Sequence, residues 1–186
     1  KKVAIELPGG NLFEADPSVI SKVADKIKDA SKRIFVVGGG VISSEATREL
    51  CELAEQLDAP VLTTVDGRGV LPEDHRLCMG NYYNSAGIYG AIQDADLTIA
   101  IGTKFAVGVD GQFHEQTPPG ELIQIDIDGN MIGRTHKAAI GVLSDAKSAL
   151  TQLKPLVSDS SQNDSQFNEA LFQAREGVQT AMRARL

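Results

Sequence analysis

The sequence has little of what several classes of protein depend on. Its 186 residues include no tryptophan, only 5% aromatic residues and two cysteines, Cys51 and Cys78, which form no Cys-x-x-Cys pair. This usage excludes a disulfide scaffold and is typical of reduced, structural thiols in a cytoplasmic protein. No apolar run is long enough to span a membrane, and the first residues do not resemble a signal peptide. We therefore expect a cytoplasmic protein with no membrane partner.

Positive charge and catalytic motifs are also scarce. There are 18 Lys and Arg residues against 25 Asp and Glu, a net charge of −7, and no basic cluster. The sequence therefore predicts no nucleic-acid partner. It contains no G-x-S-x-G nucleophile elbow and no Walker motif, and His75, His114 and His136 have no metal-ligand spacing. We expect no catalytic residue and no metal ligand in this chain.

The most informative segment that is present runs from Arg33 to Ser44. Apolar residues lead into Gly38, Gly39 and Gly40, and a helical pattern follows. Such a strand, turn and helix start can bring backbone N–H groups close to a phosphate. The G-x-G-x-x-G fingerprint is incomplete, because Ser43 stands where the third glycine belongs. A ligand site and a turn that merely needs small residues remain equally good readings of this segment.

Strand and helix patterns alternate along the chain. Strands are predicted at 33–37, 61–64, 97–101 and 122–126, with a fifth at 138–142. Helices are predicted from Pro17, over about 44–58 and 85–94, after a capping Ser144, and from Phe167 onward. Two long irregular connections are predicted at 65–84 and 103–120. The alternation indicates a mainly parallel sheet with helices on both faces, doubly wound by right-handed crossovers.

Ligands of such sheets bind beyond the carboxyl ends of the strands. The strand ends carry polar or small residues that fit a nucleotide cleft: Gly38, Gly39, Gly40, Thr63, Thr64, Gly102, Lys104, Asp126 and Asp128. Threonines can bind phosphate or ribose, a lysine neutralises phosphate, and the aspartates accept from ribose hydroxyls or an adenine amine. The alternative is that small and polar residues simply populate loops.

The chain resembles the central domain of thiamine-diphosphate-dependent enzymes of the acetolactate synthase and benzoylformate decarboxylase type. The resemblance covers roughly residues 1–157 and rests on ordered motifs. These are Lys2–Pro8, Val36–Val41, Leu53–Glu55 with Ala59–Thr64, Gly67–His75, Asp94–Gly102, and Ile125–Asp128 with Ile132–Arg134. The resemblance implies a three-layer, Rossmann-like fold around a six-stranded parallel sheet.

It also implies that the catalytic parts belong to other domains. In the family, thiamine diphosphate and Mg²⁺ lie between an N-terminal domain, which carries the catalytic glutamate, and a C-terminal domain, which carries a Gly-Asp-Gly motif and a distant asparagine. This chain has neither motif. We expect residues 1–16 to be a linker from a missing N-terminal domain, 17–157 the central domain, and 158–186 a linker and helix leading to a missing C-terminal domain.

Some relatives hold FAD or ADP in the central domain. Acetolactate synthases carry Arg-Phe-Asp-Asp-Arg after the third strand, whereas this chain has Lys104-Phe105-Ala106-Val107-Gly108. A lysine does not replace a bidentate arginine contact. These departures argue against FAD and favour an empty, structural central domain.

Three functions are therefore compared. The first is a structural domain of a 2-keto-acid decarboxylase or carboligase that forms homodimers or homotetramers. The second is a free-standing nucleotide-binding module. The third, a hydride-transferring dehydrogenase, is disfavoured by the missing third glycine and by the lack of a substrate domain with a catalytic histidine.

Overall fold

A computed structural model describes residues 13–81, 86–105 and 117–184, apart from the side chain of Met182. Its strands are β1 (Arg33–Val37), β2 (Val61–Thr63), β3 (Cys78–Asn81), β4 (Leu97–Ile101), β5 (Glu121–Asp126) and β6 (Ile140–Leu143). Its helices are α1 (Pro17–Asp29), α2 (Gly39–Ser43), α3 (Thr47–Leu57), α4 (Ala86–Ala91), α5 (Ala146–Leu156) and α6 (Ser165–Arg183). None of these helices combines the length and apolarity that crossing a bilayer requires.

The six strands form one parallel sheet in the order β3-β2-β1-β4-β5-β6. Strands β1 and β4, at its centre, are buried at every position. A strand covered by helices on both faces needs apolar residues throughout, and the continuous runs at these two segments meet that need. The chain order reverses between β1 and β4, which places a topological switch point at their carboxyl ends. The predicted doubly wound, six-stranded α/β fold is confirmed.

Two helical layers cover the sheet. On one face, helices α1, α3 and α5 pack on strand residues such as Phe35 and Ile99. On the other face, α4 and α6 pack together over alternate residues such as Ile34 and Val36. The alternation of β1 side chains between two cores follows directly from the period of two in a strand.

Helix α6 folds back onto this sheet. Its residues Phe167 and Leu171 are buried in the second core. The segment that leads to it is held by Asn163, whose side chain accepts the N–H of Arg33 at 3.0 Å and donates to the Arg33 carbonyl at 2.8 Å. The fully buried guanidinium of Arg33 in turn donates to the carbonyl of Ser161 at 2.9 Å. These bonds tie the polar 158–164 segment to the start of the sheet.

Two predicted helix boundaries were wrong. The helix predicted over about 44–58 begins only at Thr47, as α3, and the short helix α2 precedes it. The two helices are separate because Ser44 caps α2 by donating to the Gly40 carbonyl and Glu45 adopts a left-handed backbone, φ 52°. Ser144 does not cap α5. Asp145 is the cap, since its carboxylate accepts the N–H of Ser148 at 3.1 Å.

The predicted irregular connection 65–84 contains the edge strand β3, and the strand predicted at 138–142 begins two residues later and ends one residue later, at Ile140–Leu143. The helix predicted over 85–94 ends as α4 at Ala91 and continues as one 3₁₀ turn to Asp94. The family-like segments at 2–8 and 106–108, and His114, lie outside the described residues.

Candidate functional site

A cleft of about 550 Å³ lies at the carboxyl ends of the strands, at the switch point. Its walls come from the turns that follow β1, β2, β4, β5 and β6. The lining residues are Gly38, Gly39, Gly40, Ser43, Ser44, Thr64, Asp66, Gly102, Thr103, Lys104, Ile125, Asp126, Ile127, Asp128, Ser144, Asp145 and Ala146. The volume is within the range of natural small-molecule sites.

The glycine turn after β1 is packed against the turn after β4. A Cβ on Gly38 would lie 2.3 Å from the carbonyl oxygen of Gly102, and one on Gly40 would lie 2.6 Å from the Gly102 Cα. Neither Gly38 nor Gly40 has a positive φ, whereas Gly102 does, at 56°. The glycines at 38 and 40 are therefore required by the close approach of two backbones and not by a left-handed conformation.

The same packing uses hydrogen-bond donors of the turn. The N–H of Gly38 donates to the Ile101 carbonyl at 3.0 Å, and the N–H of Gly40 donates to the Gly102 carbonyl at 3.1 Å. Of the three glycines, Gly39 alone has an N–H for which the described residues supply no backbone acceptor. Helix α2, at five residues, is also too short to build a substantial dipole. The turn is thus poorly equipped to hold a diphosphate.

The cleft is lined by four carboxylates, of Asp66, Asp126, Asp128 and Asp145, and by the ammonium of Lys104. Asp126 accepts the N–H of Asp128 at 2.9 Å, and Asp145 caps α5. These carboxylates stabilise turns that the parallel strands require. The electrostatic balance of the lining is unfavourable to a polyanion, although free carboxylate oxygens remain for hydroxyl or amine donors.

All the residues predicted for the site line this cleft except Thr63. Thr63 is buried at the end of β2 and lines a second cavity, of about 310 Å³, which is bounded by β3 and α6. Sequence reasoning did not assign Ser43, Ser44, Asp66 or Asp145 to the cleft. Each of them lies within a few residues of a strand or of the glycine turn, and that position was the signal that could have identified them.

Exposed apolar side chains gather at the same edge of the molecule. The large apolar residues with the greatest exposure there are Phe13, Ile42, Val65, Ile127 and Leu143, and Ile127 is 63% exposed. Ile42 lies near the end of α2, Val65 and Ile127 follow β2 and β5, and Leu143 ends β6. Phe13 lies beside the start of α5, where its carbonyl accepts the Asp145 N–H. A contiguous exposed apolar surface is typical of contact with another molecule or domain.

Residues 20–153 match the family described as thiamine pyrophosphate enzyme, central domain. The chain belongs to this family. The central domain described here has a six-stranded sheet, and the described residues that line its cleft include neither histidine nor cysteine.

Relatives of this central domain are much longer proteins. The chain is 38% identical over 156 residues to a probable acetolactate synthase large subunit from Methanocaldococcus jannaschii, matching 80% of this chain and 26% of the relative. It is 35% identical over 137 residues to a glyoxylate carboligase from Escherichia coli O157:H7, matching 72% of this chain and 23% of the relative. The central domain thus spans about a quarter of the curated relatives it matches.

A solved structure has the same fold. It is benzoylformate decarboxylase from Polynucleobacter necessarius, with a TM-score of 0.63 and 27% identity, where the match covers 88% of this central domain and 32% of that chain.

Proposed function

We propose that this chain is the central domain of a thiamine-diphosphate-dependent 2-keto-acid decarboxylase or carboligase, and that its role there is architectural. It would space the catalytic domains and contribute to contacts within a homodimer or homotetramer. The observation that carries this proposal is the set of exposed apolar side chains at the carboxyl edge of the sheet, namely Phe13, Ile42, Val65, Ile127 and Leu143. The domain that presents them matches about a quarter of its relatives' length.

The residues present do not fit thiamine diphosphate or Mg²⁺. The sequence has no Gly-Asp-Gly segment. In the cleft, the N–H groups of Gly38 and Gly40 are bonded to the end of β4 and the turn after it, and the carboxylates of the described lining outnumber its one ammonium. A diphosphate needs donors and positive charge where this cleft offers acceptors. The chemistry of thiamine diphosphate therefore belongs to other parts of the enzyme.

The cleft is better suited to the neutral part of an adenine nucleotide than to its phosphates. Asp126 and Asp128 can accept from ribose or adenine, while Lys104 is the single cation for phosphate among the described residues that line the cleft. We therefore expect ADP to bind weakly and FAD more weakly than about micromolar, roughly −8 kcal/mol. This proposal includes no role for the cleft in catalysis.

Calorimetric titration with ADP and FAD tests the cleft directly. A Lys104→Met variant should weaken ADP binding further, whereas Lys137→Met removes an exposed ammonium that does not line the cleft and should leave binding unchanged. A protein that is yellow as purified would contradict this account of the cleft. So would FAD binding tighter than about micromolar.

A free-standing nucleotide-binding module is the second candidate, and the volume and position of the cleft favour it. The full reading frame of the gene separates the two. An upstream domain with a catalytic glutamate and a downstream Gly-Asp-Gly motif would support the enzyme, and a frame that encodes only this domain would support the module. For either function we propose a cytoplasmic location, which the free thiols of Cys51 and Cys78 support.

A further inference from the structure

Three side chains of different chemistry meet away from the cleft. Cys51 and Glu55 are one turn apart on α3 and therefore project from the same side of that helix. His75 comes from the connection between β2 and β3, where its N–H donates to the Pro72 carbonyl at 3.0 Å. The thiol sulfur of Cys51, a carboxylate oxygen of Glu55 and a ring nitrogen of His75 all lie within 4.8 Å of one another.

The distances are close to those of a three-ligand zinc site. The Cys51 Sγ lies 4.0 Å from His75 Nε2, and His75 Nε2 lies 3.1 Å from Glu55 Oε1. Tetrahedral coordination by sulfur, nitrogen and oxygen places ligand atoms about 3.4–3.6 Å apart. Changes of about half an ångström would bring these two distances into that range, and the third pair, of sulfur and carboxylate, lies within 4.8 Å. Cys51 and His75 are partly buried while Glu55 is exposed, so a water molecule can take the fourth position.

We propose that Cys51, Glu55 and His75 bind one borderline-soft divalent cation such as Zn²⁺. A thiolate, an imidazole nitrogen and a carboxylate are the ligand types that zinc takes in proteins. The thiolate and the carboxylate together neutralise a dication. The site would link α3 to the connection that precedes the edge strand β3, next to the ion pair of Arg76 with Asp58.

Binding has two costs that set a modest affinity. The N–H of Leu77 donates to His75 Nδ1 at 3.2 Å, so the neutral ring carries its proton on Nε2, facing Glu55. The cation must displace that proton, which moves to Nδ1 as Leu77 gives up its bond. Burial, and then the neighbouring carboxylate of Glu55, raise the pKa of the Cys51 thiol, so a second proton passes from sulfur to solvent.

The test uses the 186-residue chain, stripped with a chelator and titrated with Zn²⁺ and with Co²⁺. We expect one Zn²⁺ per chain with a Kd of about 10 µM or tighter, and a thiolate-to-cobalt charge-transfer band in the near ultraviolet. Cys51→Ser should abolish the band and weaken Zn²⁺ binding at least tenfold, about 1.4 kcal/mol. Glu55→Gln, at an exposed position that is safe for folding, should weaken it in the same direction.

Matched controls come from the same chain. Cys78→Ala removes the other thiol, and Glu52→Gln removes a carboxylate on α3 that is paired with Lys154. Both should retain the cobalt band. No Zn²⁺ binding up to about 1 mM would overturn the proposal, and so would a cobalt spectrum without thiolate character. Binding that Cys51→Ser and Glu55→Gln leave unchanged, or that Cys78→Ala abolishes, would also overturn it.

Discussion

The substitution Gly40→Ala tests how the glycine turn is used. The added Cβ would lie 2.6 Å from the Gly102 Cα and 3.1 Å from its carbonyl oxygen, and both atoms belong to the backbone. Relief requires the turns after β1 and β4 to separate, which costs roughly 1–3 kcal/mol. Separation also weakens the Gly40–Gly102 hydrogen bond, worth about 1 kcal/mol. We expect the free energy of unfolding to fall by about 2–4 kcal/mol.

Thermal melting followed by circular dichroism, in the absence of any nucleotide, measures this change. The expected fall in Tm is about 5–12 °C for a chain of this size. Gly177→Ala is the matched control, because its Cβ meets nothing within 4 Å on α6 and a helix interior favours alanine by about 0.5–1 kcal/mol. Gly39→Ala should cost less than Gly40→Ala, since its nearest contact is the Asp66 Cβ at 3.2 Å. A Gly40→Ala protein that melts with the wild type would refute the backbone-contact argument.

Two further predictions concern charge. Asp96 accepts the N–H groups of Ser31 and Lys32, and these bonds outweigh burial and lower the pKa of its carboxyl. Asp96→Asn should therefore lower the free energy of unfolding by about 1 kcal/mol. In urea denaturation, this difference between the two proteins should be full above the unfolded pKa of about 3.9 and should vanish as pH falls through the folded pKa. Burial lowers the pKa of His136, whose ring packs edge-on against Phe105 with centroids 5.0 Å apart. The wild type should therefore lose stability below about pH 6.5, and His136→Phe should lose less. Parallel profiles of unfolding free energy against pH for the two proteins would contradict this.

Much of the fold was predictable because its central strands are buried on both faces. The segments 33–37 and 97–101 carry continuous apolar runs, and only a strand in the middle of a parallel sheet requires them. The edge strand β3 was not predictable in this way. Its residues, Cys78–Asn81, have no apolar run, Gly80 has a positive φ, and its pairing with β2 shifts register between Val61 and Leu62.

The location of the cleft was predictable from the sequence, but the hydrogen bonds that decide what it can bind were not. Strand ends located Gly38, Gly102 and Asp126 correctly at one edge of the sheet, because parallel topology brings those ends together. The sequence could not show that Gly40 donates to Gly102, because that bond depends on how the turns after β1 and β4 meet. It also could not bring together the Cys51 thiol and an imidazole 24 residues later.

The central claim is that thiamine-dependent chemistry resides outside this domain. The most direct test incubates the chain with thiamine diphosphate, Mg²⁺ and either pyruvate or benzoylformate, and measures the CO₂ released. A complete enzyme of the same family, assayed in parallel, serves as the positive control. We expect release by this chain to equal that of a protein-free blank. CO₂ release that exceeds the blank and depends on thiamine diphosphate would contradict the claim, because it would place the active site in this domain.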